Sequence, residues 1–255
     1  MSVKRHMPDF KMIASMGLIH GCSPLFKFGK NQDIDTGTVP EDIISIGGEK
    51  LFPTAASTIS FVSTSASDTD GGVGINTLIL EGLDENYDII SETITLNGIT
   101  PIVSSLSYLR ANRLTGTLSG TSQKAVGAIT GTHDEGAIVQ IPIGDGQSSD
   151  CTYTVPRDHV LLIDRFTASL ERSGSGAAAE LHFEVKPFGT NTWQEKADVS
   201  LAASGTSYIQ RDSDLWFLIS EKSDVRIHAS QVATNNTFIA ASFDGLLINL
   251  EIFAW

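Results

Sequence analysis

Cysteine is scarce in this chain of 255 residues: Cys22 and Cys151 are the two present, far apart in sequence. They exclude a disulfide framework and a zinc-type cluster. One bridge between them stays open until geometry is known, but free thiols are expected, as suits a reducing cytoplasm. Positive charge is also scarce, with 17 Lys and Arg against 30 Asp and Glu and a net charge of −13. A phosphate-binding groove needs clustered Lys and Arg, so no nucleic acid is expected as a partner. The acid excess gives instead a soluble surface that repels its own copies until a specific contact forms. No apolar run approaches the ~20 residues of a membrane-spanning helix, so no membrane is expected either.

Catalytic signatures are missing as well. The histidines are His6, His20, His133, His159, His182 and His228, and none stands in a His-x-His or His-Glu-x-x-His pattern. There is no Gly-x-Ser-x-Gly elbow, and no glycine-rich loop precedes a helix with a Lys-Ser or Lys-Thr step. The expectation is a protein with no catalytic residues and no cofactor.

What is present is strand pattern. Thr77–Leu80 and Ile89–Leu96 flank the acidic turn Asp84-Glu85-Asn86-Tyr87-Asp88 and read as a hairpin. In Ala178–Pro187, Leu181, Phe183 and Val185 alternate with His182, Glu184 and Lys186, as one dry and one wet face require. Val225, Ile227 and Ala229 alternate in the same way. Strand-like runs recur at sandwich-type spacing, and no amphipathic helix interrupts them. The class is all-β. Three parts are expected: an extended N-terminal arm at 1–50, a first antiparallel β-sandwich or jelly-roll-like domain at 51–145, and a second at 146–255. The linker is the polar run from Gly144 to Asp150.

The arm is broken by Pro8, Pro24, Gly29, Pro40 and Gly47-Gly48, yet it is rich in apolar side chains, among them Phe10, Met12, Met16, Leu18, Phe26 and Phe28. It is expected to bury them outside its own domains, against a neighbouring subunit. The basic start Lys4-Arg5-His6 ahead of Met12–Ile19 and Cys22 has the look of a short lipoprotein leader. Pro8, Asp9 and Lys11 interrupt it, so it is read as part of the arm. At the other end Leu246-Leu247-Ile248 makes the strand Thr237–Leu250 apolar on both faces, and Phe253 and Trp255 follow. Two apolar faces need two covers, of which one is expected to be another subunit. The contact candidates are therefore Phe10, Met12, Met16, Leu18, Phe26, Phe28, Leu246, Ile248, Phe253 and Trp255, in a homo-oligomer such as a trimer.

Two acidic loops have oxygen donors for calcium: Asp68 and Asp70 ahead of Gly71-Gly72, and Asp84, Glu85 and Asp88 in the hairpin turn. A calcium-binding helix-loop-helix motif starting at Asp68 would need Glu where Ile79 stands, and Asp and Asn favour turns for reasons of their own. No metal is expected. Trp193 follows the loop Gly189-Thr190-Asn191-Thr192 and is the one indole placed to serve as a sugar-stacking platform; Trp216 is read as core.

Several segments carry a resemblance. They are Phe28-Gly29-Lys30-Asn31-Gln32-Asp33-Ile34-Asp35, Phe52-Pro53-Thr54-Ala55-Ala56, Glu81-Gly82-Leu83-Asp84 with Ser91-Glu92-Thr93 and Leu96-Asn97-Gly98, Tyr153-Thr154-Val155-Pro156, Lys186-Pro187-Phe188-Gly189, and Glu221-Lys222-Ser223-Asp224-Val225. Together they resemble structural proteins of tailed-bacteriophage particles, described variously as head-decoration, neck or tail components. The resemblance implies a non-enzymatic virion protein, assembled in the host bacterial cytoplasm, whose partners are other copies of itself and major capsid or tail proteins. It carries over no cofactor and no active-site residue. A carbohydrate-binding or adhesive β-module is the competing class, marked by Trp193.

Overall fold

The computed structural model describes residues 10–172, 176–205 and 207–253. One short helix, α1 (Phe10–Ser15), precedes β1 (Cys22–Ile34) and the two-residue β2 (Glu41–Asp42). Then come β3 (Ser60–Ser63), β4 (Ile75–Leu83), β5 (Ile89–Thr95), β6 (Ile102–Val103), β7 (Arg110–Ser119), β8 (Ile129–His133) and β9 (Gly136–Ile141). The rest holds β10 (Thr152–Thr154), β11 (His159–Arg172), β12 (Ala178–Lys186), β13 (Gln194–Ala202), β14 (Tyr208–Ile219), β15 (Asp224–Val232) and β16 (Thr237–Asn249), closed by a helical turn at Leu250–Phe253. The all-β class holds. Among the described residues no helix is long and apolar enough to cross a membrane.

The strands form small antiparallel sheets. The first has the order β1-β16-β11-β14, and the second β10-β15-β12-β13, with β2 also on β15. The third is β6-β3-β8-β9 and the fourth β5-β4-β7. One core lies between the first two sheets, where Leu161, Ile163 and Phe243 meet Leu181, Phe183, Val225 and Ile227. A second core joins the other two around Phe61, Leu78, Leu80, Tyr108 and Ile129. The hairpin read from sequence is β4–β5, in register from Thr77↔Thr95 to Leu83↔Ile89.

The N-terminal segment differs from expectation. Residues 22–34 are not an arm: β1 is an edge strand of the first sheet, paired along β16 from Cys22↔Ile248 to Ile34↔Thr237. An edge position tolerates Pro24, which has no amide to give to a ladder. The strand was hard to read because its inward positions are Lys27, Gly29 and Asn31, all buried, rather than apolar. Gly29 is required there: a Cβ would stand 2.0 Å from the Ile43 carbonyl oxygen and 2.4 Å from the Cys151 nitrogen. Ile34 and Ile43 both lie in the first core. The chain therefore enters that core, leaves it for the whole of β3–β9, and returns, with Ile44 bridged to Asp150 at the crossing. The unit expected at 146–255 thus includes residues 22–44 as well.

Part of the second cover for β16 is internal. Leu247 faces the core, while Leu246 turns outward and is buried with Ala14 of α1 and Cys22, flanked by Ile19 and Ile248.

Candidate functional site

The outward face of the second sheet gathers a row of charged and titratable side chains. In β15 the alternation sends Val225, Ile227 and Ala229 into the core and Asp224, Arg226 and His228 outward, yet these polar residues are buried too. Their partners come from register. On β12, Lys186 lies opposite Asp224, Glu184 opposite Arg226, and His182 opposite His228. Directly opposite residues share a face, so three consecutive polar pairs stack along two strands.

Each pair is built differently. Lys186 Nζ is 3.2 Å from Asp224 Oδ2. Arg226 Nε donates to Glu184 Oε2 at 2.9 Å, and its Nη1 to Glu49 Oε2 at 3.1 Å. The same Nη1 is 3.5 Å from Asp42 Oδ1. Asp42 of β2 sits opposite His228 on its other side, and its Oδ2 accepts from the Lys50 amide at 2.6 Å. Burial pushes the Asp42 carboxyl up to about 7, against the pull of Arg226.

The histidine pair closes the row. The two rings are 5.3 Å apart between centroids and inclined by 35°. His228 Nδ1 lies 3.3 Å from Glu184 Oε2 but out of line for a hydrogen bond, and it is left without a hydrogen-bond partner. Burial and then the Arg226 charge lower the His228 pKa to about 4, so its imidazole is neutral near pH 7. His182 is half-buried, with Nε2 3.6 Å from Glu180 Oε1 and Nδ1 3.5 Å from Glu195 Oε2. Among the described residues, His182, Glu184 and His228 form a set of potential metal donors, with one donor atom from each within 4.8 Å of the others.

The calcium candidates are arranged otherwise. Asp68 is fully buried and its carboxylate is occupied. It accepts from Ser63 Oγ at 2.6 Å and from the amides of Ile75, Val126 and Gly127 at 2.9, 3.0 and 2.7 Å. Asp70 is exposed nearby. Asp84 Oδ1 caps its own turn through the amides of Asn86 and Asp88, Asp88 pairs with Arg157 at 2.9 Å, and Glu85 is exposed. Trp193 is not an open platform. Its ring packs on Phe52 at 5.5 Å and carries the Arg226 guanidinium at 4.2 Å, so both are engaged by protein.

The contact candidates fall on the outer face of the first sheet and on α1. Pro24, Leu246, Leu162 and Leu218 are opposite one another in register and form an apolar row across all four strands. Leu246 is covered, but Leu218 is 64% exposed. Met12, Met16, Leu18 and Phe26 are likewise more than half exposed, and Phe28 and Ile248 are half-buried. The side chains of Phe10, Trp216 and Phe253, and Trp255 altogether, lie outside the described residues.

Sequence reading passed over the histidine cluster. His182 and Glu184 carry a one-residue spacing that signals a shared strand face, but His228 joins them only through register. No protein-family model matches the chain, and no curated protein matches it.

Proposed function

We propose that this chain is a non-enzymatic structural subunit of a tailed-phage particle, which assembles through the apolar outer face of its first sheet. The phage assignment rests on the turn-and-strand resemblance given above. The observation that carries the assembly reading is the exposure of the large apolar side chains Met12, Met16, Leu18, Phe26 and Leu218 on and around the first sheet. Large apolar patches are uncommon on monomers, and on a chain of net charge −13 a local apolar surface is where copies can meet without repulsion. The occupant we assign is a second copy, in a closed cyclic assembly such as a trimer, seated in turn on capsid or tail protein. Capsid decoration is the position we favour within the particle, with the neck and tail as the others in the class. In the same reading the two cores belong to two sandwich-like units of jelly-roll type, the first inserted in the second. Assembly takes place in the host cytoplasm and the mature location is the virion.

The test is a double substitution, Met16→Asp with Leu218→Asp, both on exposed side chains. Light scattering should show the wild type as an oligomer and the variant as a monomer, and particles grown with the variant should lose this chain. A variant of unchanged mass and occupancy would remove the outer face from the contact. Particles that never contain the wild-type chain would remove the phage assignment.

A further inference from the structure

We propose that His182, Glu184 and His228 bind one divalent transition-metal ion of the zinc class on the outer face of the second sheet, a site independent of the assembly face. Strand register makes the site. His182 and His228 are directly opposite on β12 and β15, and Glu184 is the next outward residue on β12, so all three project from one face at neighbouring positions. One donor atom from each lies within 4.8 Å of the others, a spread that side-chain rotation can close onto a shared ion.

The donor set selects the metal. Two imidazole nitrogens and one carboxylate oxygen are the ligands of zinc, cobalt(II) and nickel(II), whereas calcium and magnesium take oxygen shells. His228 is the second, independent pointer. It is 6% exposed, its Nδ1 has no hydrogen-bond partner, and that atom is turned towards Glu184 rather than towards a donor or acceptor in line. Buried polar atoms without partners are few in native proteins, and a metal ion would complete this one.

The surroundings favour a cation. Glu180 and Glu195 stand within 3.6 Å of the two ring nitrogens of His182, so whichever nitrogen faces the ion, a carboxylate is at hand to orient the ring through the other. Glu49 adds negative charge behind Arg226. Arg226 is the opposing charge at the site and engages Glu184 through Oε2. Three protein ligands leave a fourth position on the side of half-buried His182, open to water or to a donor from another molecule. A bound ion would add a further side-chain link between β12 and β15, beside the Arg226–Glu184 and Lys186–Asp224 pairs.

The experiment uses the full chain, stripped with chelator and dialysed, and titrated with Zn²⁺ by calorimetry and with Co²⁺ by visible absorption. Mg²⁺ and Ca²⁺ are the controls. One-to-one binding of Zn²⁺ and Co²⁺, with none of Mg²⁺ or Ca²⁺ at the same concentrations, is expected. His182→Ala, at a half-buried position that leaves the core intact, should weaken Zn²⁺ binding at least 100-fold, and Glu184→Gln at least tenfold. His6→Ala with His20→Ala should leave it unchanged. The proposal is overturned if the wild type binds no stoichiometric Zn²⁺, or if His182→Ala, folded by circular dichroism, binds as the wild type does. It is equally overturned if the His6/His20 variant loses the binding.

Discussion

Arg110 and Asp224 meet face to face across the two halves of the molecule. Arg110 Nε donates to Oδ1 at 2.9 Å and Nη2 to Oδ2 at 3.1 Å, and both side chains are buried. Arg110 begins β7, whose core is that of the third and fourth sheets, while Asp224 begins β15 in the second sheet. The guanidinium also donates to the Pro53 carbonyl at 2.6 Å, and Thr154 Oγ1 donates to Asp224 at 2.6 Å. The pair ties the inserted strands to the unit that contains them. Its fork geometry suits arginine and not lysine.

Breaking this pair from one side leaves a buried carboxylate under-compensated, so Arg110→Met is expected to cost roughly 3–5 kcal/mol in urea unfolding. Asp224→Asn in the same chain should recover part of that loss, since the stranded charge is then gone. A double variant no better than the sum of the singles would mean that the two residues act independently.

Lys27 offers a pH signature. Burial lowers its ammonium from 10.5 to about 8, although Nζ donates to the Asn112 carbonyl and Asp150 pulls the other way. Between about 8 and 10.5 the unfolded chain holds a proton at Lys27 that the folded chain has released. The Lys27 contribution to stability therefore rises across this window and is least below it. Lys27→Met removes the titration. Relative to the wild type the variant should be more stable at pH 7.5 than at pH 10.5, by up to about 3 kcal/mol. Parallel pH curves for the two proteins would contradict the burial argument.

Asp68 organises its loop through a carboxylate that fills four hydrogen bonds. Asp68→Ala strands the buried amides of Ile75 and Gly127 and should cost roughly 3 kcal/mol or more. Added calcium or chelator should leave the wild-type melting temperature where it was. A calcium-dependent rise would show that the loop has a ligand role beyond its own backbone.

Both cysteines are free and buried, and burial raises both thiol pKa values. Only the thiolate reacts, so native protein should modify slowly with a thiol reagent, and unfolding should release both groups. Cys22, at the margin under α1, should react before Cys151, which is fully enclosed. Mass spectrometry of the alkylated protein over time gives the order, and early labelling of Cys151 would show that the first core opens locally.

Strands with one dry face were legible in the sequence. The β4–β5 hairpin follows from β-branched runs around an acidic turn, and β12 and the inward residues of β15 follow from alternation. Beyond that the pattern failed where inward positions are polar or outward ones are buried. The inward face of β1 is Lys27, Gly29 and Asn31, so it looked like irregular chain. β14 gives no continuous strand pattern, because the polar Gln210, Arg211 and Asp212 in its middle are exposed on the edge of the sheet. β13 shows the pattern only in Val199 and Leu201, because its first half is exposed and polar. The histidine cluster needs a pairing between residues far apart in sequence, which no local pattern encodes.

The pairing of β1 with β16 also sets a clock. Cys22 leaves the ribosome roughly two hundred residues ahead of Ile248, its partner. At a translation rate of about 5–20 residues per second, β1 waits some ten seconds or more for its hydrogen bonds. Meanwhile β3–β9 emerge complete, with every strand partner inside their own stretch. The inserted unit is thus free to fold on the nascent chain while the unit around it cannot close. During synthesis the chain passes through a stage in which β3–β9 have their partners while β1 is still unpaired, and that stage ends only when β16 is made.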